Sequence, residues 1–292
     1  MITTSVAPVT TDIQFRHKYS KHGKTSYNIK STNLEIDNSE DSEGEEIIEY
    51  ANEEGIFIQE QANEESFIRK HEIPRKTFHS FTGIFTLWLY VNGYNQRQLV
   101  FPMLIMAITC FFQDFIRFRV PSVNDKLIKL YSSMMRESEK NSYNGILFFL
   151  IGIIITSSLL PKDICLMCNL LLSWGDTSAS LFGREFGKYT PKLSTNKSLA
   201  GSLASFATGV GCCYLMYMFM IPKYHHLVDL PNDIMWSPET SSLNIHCFAI
   251  ACGFISSISE FIDLWGMDDN FTIPVLSGSF LYSLVHIFKN YP

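Results

Sequence analysis

Four carboxylates sit inside otherwise apolar stretches of this chain: Asp114, Asp176, Glu260 and Asp263. An acid in such a setting is costly, and where it occurs it marks a pathway, a buried pair or a reaction site. Asp176 heads a pattern. On a helix advancing 100° per residue, Asp176, Ala179, Gly183 and Gly187 fall at i, i+3, i+7 and i+11, one narrow stripe. Small residues there leave the backbone open to close approach, with the acid at one end. Gly183-x-x-x-Gly187 is also a helix-packing motif, which accounts for the glycines but not for an acid in line with them. The chain continues KYTPKLSTNKSLAGS. Pro191 ends the helix, so Lys192 and Lys197 fall on a surface loop. Ser198, Gly201 and Ser202 then open the next helix, whose free N–H groups and positive dipole end suit a phosphate. An acid to hold a divalent cation, lysines to neutralise phosphates and a glycine-lined path are the parts phosphoryl transfer needs. Magnesium takes one or two carboxylates and completes its shell with substrate phosphates. No G-x-x-x-x-G-K-[ST] occurs, so the chain is not a P-loop protein.

The elements that must hold these residues are apolar helices. Of 292 residues, 46% are hydrophobic and only 18% charged. Runs near 78–94, 99–118, 144–160, 163–183, 199–221, 245–265 and 271–289 approach the roughly 20 residues that cross a bilayer as a helix. The expected fold is an all-α polytopic membrane protein with about seven transmembrane helices. Residues 69–292 form the membrane-embedded domain, and residues 1–68 form a disordered acidic tail. Between Ser31 and Glu65 there are thirteen Asp or Glu and no Lys or Arg, with little apolar surface to bury. Within it, Ser39 and Ser42 lie in NSEDSEGEE, a context that suits an acid-directed protein kinase, though a plain solvated tail fits as well. Fourteen Lys and Arg fall in the connectors on the tail's side and four on the other: Arg97, Lys162, Lys223 and Lys289. That imbalance puts the tail in the cytosol. No secretory signal pattern is expected at the N-terminus. The seven cysteines lie in apolar runs and read as core residues, not disulfides or a zinc site.

On this orientation the intramembrane acids all lie near the cytosolic ends of their helices, with Asp268 and Asp269 just outside. Arg75, Lys76 and His79 stand at the mouth of the first span. Other readings stay open for some of them. Asp114 and Arg117 are spaced to form a structural pair. Glu260 and Asp263, at i and i+3, serve either the site or helix–helix hydrogen bonding. His79 is an interfacial residue or part of the site.

The pattern Asp176-x-x-Ala179-x-x-x-Gly183-x-x-x-Gly187, then Lys192 and Lys197-Ser198-x-x-Gly201-Ser202, resembles the CTP-binding motif of the polyprenol kinase family. That family includes dolichol kinases, phytol kinases and the fungal CTP-dependent diacylglycerol kinases. The chain is similar to the last group from about residue 68 to its end, including KHEIPRKTFHS, LLSWGDTSAS, IMWSPETS and WGMDDNFTIPVLS. Many dolichol-type relatives carry Glu two residues after the Ser or Thr of the lysine motif; here that position is Ala200. The resemblance implies an enzyme of the endoplasmic reticulum or nuclear membrane that moves the γ-phosphate of CTP to the hydroxyl of diacylglycerol. It implies roles for Arg75, Lys76, Asp176 and Gly183, and for Gly187, Lys192, Lys197 and Gly201 in the nucleotide motif. On this reading Asp176 holds Mg²⁺ or Ca²⁺ with help from Glu260, Asp263 or Asp269. Arg75, Lys76, Lys192 and Lys197 grip the CTP phosphates, and Asp263 acts on the acceptor hydroxyl. No nucleic-acid partner is expected. A dolichol- or phytol-type kinase and a cytidylyltransferase are the enzymatic alternatives. An ion-coupled transporter is the non-enzymatic one, disfavoured because the acids crowd one end and no internal repeat is evident.

Overall fold

The computed structural model describes residues 72–131, 134–135, 137–194, 197–264 and 266–290. The acidic segment with Ser39 and Ser42, together with the basic residues Arg69 and Lys70, lies outside them. Within the described residues the chain is helical, with two isolated bridges and no strand.

Helix α1 (Ile73–Val91) and α2 (Gln96–Arg119) are followed by the short α3 (Pro121–Leu130) and a 3₁₀ turn at 137–140. Then come α4 (Gly145–Leu159) and α5 (Lys162–Leu170), which runs through a π turn (Leu171–Gly175) directly into α6 (Asp176–Phe186). Helix α7 (Leu199–Tyr214) likewise continues through a π turn (Leu215–Met220) into α8 (Ile221–Val228). Helices α9 (Ile245–Phe261) and α10 (Asp269–Ile287) close the chain.

Apolar periodicity explains why these stretches are helices, and side-chain caps explain where several begin. Asn95, Asn144, Ser198, Asn244 and Asp268 each accept a hydrogen bond from an N–H in the first turn of their helix. Two helices, Gln96–Arg119 and the joined Leu199–Val228, are long and apolar enough to cross a membrane; Gly145–Leu159 and Ile245–Phe261 are apolar but shorter. The outer surface carries large apolar side chains such as Phe101, Leu203, Phe219 and Phe254. Water would leave such a surface unfavourable, whereas lipid satisfies it.

The main core gathers around α5, α7 and α9, with Met167, Leu171, Met216 and Phe248 among its fully buried side chains. Close approach is needed where Gly253 meets α7: a Cβ there would come within 2.8 Å of the Phe206 carbonyl. Helix α1 packs on α5 and its π turn, while α2 packs mainly on α4. The space between those two pairs is not filled by side chains and leaves a cavity.

Candidate active site

The π turn places the central acid. It adds one residue to the turn just before Asp176, and π turns are often found beside functional groups. Gly175 fits there because it faces α9: a Cβ would come within 2.8 Å of Ser256 Oγ. Trp174 Nε1 donates to the Ser80 carbonyl at 3.0 Å, and the Ser173 and Thr82 hydroxyls meet at 2.9 Å, which ties the turn to α1. Asp176 is thereby held against Lys76, whose Nζ donates to Asp176 Oδ2 at 2.6 Å with both side chains buried. Arg75 and His79 are near enough to act on the same charge. His79 also meets the Phe149 ring edge-on at 5.9 Å.

Arg75 points the other way along α1, its Nη1 3.6 Å from Glu139 Oε1, and both residues are buried. Glu139 is brought there by Asp114 and Arg117, which form the expected structural pair at 2.7 Å. Arg117 also donates to the carbonyls of Glu139, Lys140 and Ser142, and Asp114 Oδ2 accepts from Asn144 N at 2.7 Å. One buried pair in α2 thus fixes the whole 139–144 connector. Asn270 completes this corner by donating Nδ2 to the Gly145 carbonyl. It is 3 % exposed.

On the far side of Asp176, Lys197 joins three elements. Its Nζ lies 3.6 Å from Glu260 Oε1 and 3.8 Å from Asp269 Oδ1, and donates to the Glu260 carbonyl. Glu260 in turn is close enough for its charge to feel Asp176. Lys192 is exposed on the hairpin that leads into α7, where Leu193 N donates to the Lys197 carbonyl at 2.9 Å. Arg75, Lys76, Asp176, Lys197, Glu260 and Asp269 therefore gather at one end of the bundle, as the charge pattern predicts.

Three expectations are corrected. The strip beside Asp176 is not open, because α7 fills it. A Cβ on Gly187 would come within 2.9 Å of Ser198 Oγ, and one on Gly201 within 2.7 Å of the Ala179 carbonyl. The glycines let α6 and α7 close on each other. Second, the start of α7 offers no spare N–H to a phosphate. Leu199 N donates to the Pro191 carbonyl, Ala200 N to Thr190 Oγ1, Gly201 N to Ser198 Oγ and Ser202 N to the Ser198 carbonyl. Third, α9 ends at Phe261, so Asp263 does not share a helical face with Glu260. It is exposed, and its Oδ1 accepts from Gly266 N at 2.9 Å.

Among the described residues no group of three His, Cys, Asp or Glu forms a cage for a metal ion. The carboxylates Asp176, Glu260 and Asp269 each stand beside a lysine. That donor set fits a hard cation held mainly by substrate phosphates with one or two carboxylates, and not an all-protein site.

No known family profile matches the chain, and no solved structure does. Curated relatives do. The chain is 43% identical over 223 residues to CTP-dependent diacylglycerol kinase 1 of Saccharomyces cerevisiae, covering 76% of this chain and 77% of that one. It is 45% identical over 219 residues to the protein of that name from Eremothecium gossypii, covering 75% and 69%. It is 42% identical over 217 residues to that of Schizosaccharomyces pombe, covering 74% and 95%. The chain, matched over most of its length by these three proteins, belongs to the CTP-dependent diacylglycerol kinase family.

Proposed function

We propose that the chain phosphorylates diacylglycerol with CTP at the Asp176 end of the bundle, giving CDP and phosphatidate. The observation that carries this reading is the buried Lys76–Asp176 pair, with Arg75 on one side and Lys197 on the other. Phosphoryl transfer is mainly positioning and charge neutralisation, and this cluster supplies both. Lys192, Lys197 and Arg75 bind the triphosphate. Lys76 stabilises charge developing on the transferred group and holds Asp176 in place. Gly183, Gly187 and Gly201 contribute by letting α6 and α7 approach, which sets the Lys192–Lys197 hairpin beside the acid. Ser202 Oγ is buried without a hydrogen-bond partner among the described residues and is a polar contact for the nucleotide. Asp176, with Glu260 or Asp269, would hold Mg²⁺ or Ca²⁺, which when bound neutralises phosphate charge.

The acceptor hydroxyl needs a carboxylate within hydrogen-bond reach. Glu139, buried beside Arg75, suits that role better than the exposed Asp263. The seven helical rods α1, α2, α4, α5–α6, α7–α8, α9 and α10 are read as seven crossings, with the active end cytosolic on the strength of the lysine and arginine imbalance. Residues 69–292 are the catalytic domain, residues 1–68 an accessory tail open to a protein kinase. Assignment to the endoplasmic reticulum and nuclear membrane rests on the family resemblance.

Purified full-length protein in detergent, given γ-labelled CTP and diacylglycerol, tests the reading. Label is expected in the lipid. Label released as pyrophosphate would mean cytidylyl transfer, and no labelled product from any lipid alcohol would overturn the assignment.

A further inference from the structure

A cavity of about 530 Å³ lies between α1, α2, α4 and α5, within the usual range for a small-molecule site. Its wall is apolar, with Phe81, Phe85, Met103, Met106, Phe149 and Ile153 among its lining residues. Polar groups gather at its two ends. At one end are Arg75, His79, Glu139 and Asn270, next to the Lys76–Asp176 pair. At the other end Tyr90, whose hydroxyl donates to Asp229 at 2.8 Å, and Lys162, paired with Asp229 at 2.9 Å, form a closed floor.

Three features limit what can enter. Phe81, Phe85 and Met106 line the cavity and are also exposed on the apolar outer face, so the opening is sideways, into lipid. A ligand dissolved in water has no route through such a wall, whereas one dissolved in a bilayer does. The shaft also runs deep. From Arg75 to Tyr90 helix α1 rises roughly 22 Å, at 1.5 Å per residue. One leaflet of hydrocarbon is about 15 Å thick, so the shaft accommodates the full depth of a leaflet. Finally, the polar end has both a cation and a carboxylate, Arg75 and Glu139, which together can accept and donate to a hydroxyl and an ester carbonyl.

We infer that this cavity is the acceptor slot: an acyl chain of diacylglycerol slides in between α1 and α2, its methyl end toward Tyr90, and its glycerol hydroxyl stops between Arg75 and Glu139. Because this inference rests on the diacylglycerol kinase reading, its test separates the two. The slot acts as a length gauge. Chains that reach the floor gain contacts along the whole shaft, and short chains gain only part of them.

The experiment uses the full-length protein in nanodiscs and two acceptors, dioleoylglycerol and dioctanoylglycerol. Met106→Trp and Met103→Trp narrow the shaft without touching the charged end. Each is expected to lower the preference for the long chain over the short by about tenfold, the scale on which pockets reject a misfitting hydrocarbon. An unchanged preference in both variants overturns the slot while leaving the kinase reading intact; absence of lipid phosphorylation by the unaltered protein overturns the kinase reading itself. A second measurement needs no variant. Diacylglycerol with a photoreactive group midway along one chain should label peptides bearing Met103, Met106 or Phe149, and excess dioleoylglycerol should suppress it. Labelling confined to outward residues such as Phe111 and Phe112, unaffected by competitor, overturns the inference.

Discussion

At the Lys162 end of the bundle, Asp163 accepts from Ile164 N, Met235 N, Trp236 N and Tyr217 Oη at 2.8–3.1 Å, and Lys162 meets Asp229 at 2.9 Å and the Val228 carbonyl at 2.7 Å. At the Asp176 end, Arg75 stands 3.6 Å from Glu139, and Lys197 stands 3.6 and 3.8 Å from Glu260 and Asp269. Both ends bury ionisable groups; at the first Asp163 is held by four donors, and at the second the ion pairs of Arg75 and Lys197 are wider than hydrogen-bond distance. The donors to Asp163 pin the 229–236 connector to α5. The wider pairs can exchange partners when a phosphate arrives, beside the tight Lys76–Asp176 and Asp114–Arg117 pairs. Burial of charge alone does not identify a site; the ion pairs that join separate elements at wider spacing are what distinguish the Asp176 end.

Substitutions at the two ends should break in different ways. Asp176→Asn keeps the shape of the side chain and removes its charge. Transfer of label from CTP to lipid should fall by ~10³-fold or more while the protein still accumulates in the membrane. Equal loss of accumulation would make Asp176 a scaffold residue like Asp163. Lys197→Met should lower kcat/KM for CTP by about 10²-fold, from loss of a phosphate partner, with a smaller change in thermal midpoint. At the other end, Asp163→Ala strands buried donors. It should cost about 1–3 kcal/mol for each donor left buried without a partner, read as a lower melting midpoint in detergent, with KM for CTP unchanged in the folded fraction. The smallest effect is expected for Asp263→Asn, within about twofold of the unaltered activity, because an exposed turn hydrogen bond contributes little. A large loss there would restore Asp263 as the group acting on the acceptor hydroxyl.

The Asp176 end is partly legible in the sequence and the Lys162 end is not. The helices were visible because their apolar runs are long, and Asp176 stood out because an acid in such a run is rare. Lys76, Arg75 and Lys197 are legible by type, since they flank apolar runs on the side rich in lysine and arginine. Glu139 is not. It sits among several charges in a polar connector, and only the Asp114–Arg117 pair, through contacts to carbonyls more than twenty residues away, draws it into the bundle. The glycine stripe was seen, but a stripe of small residues looks the same whether a ligand or another helix fills it. Asp263 was misplaced because ISEFIDLW keeps an apolar rhythm past Phe261, where the helix has already ended. The role of Asp163 was invisible, as its partners Met235 and Trp236 come from a distant loop.

The π turn at Leu171–Gly175 sets an angular phase for everything after it. Were its five residues wound as ordinary α-helix, each later side chain would swing by roughly a quarter turn about the axis. Asp176 would then face away from Lys76, and the small residues that meet α7 would rotate with it. A further one-residue insertion in this stretch, which has no second wide turn to absorb it, should be as damaging to catalysis as removing the carboxylate, whereas deleting one residue of the π turn, which lets it relax into α-helix in the same phase, should not.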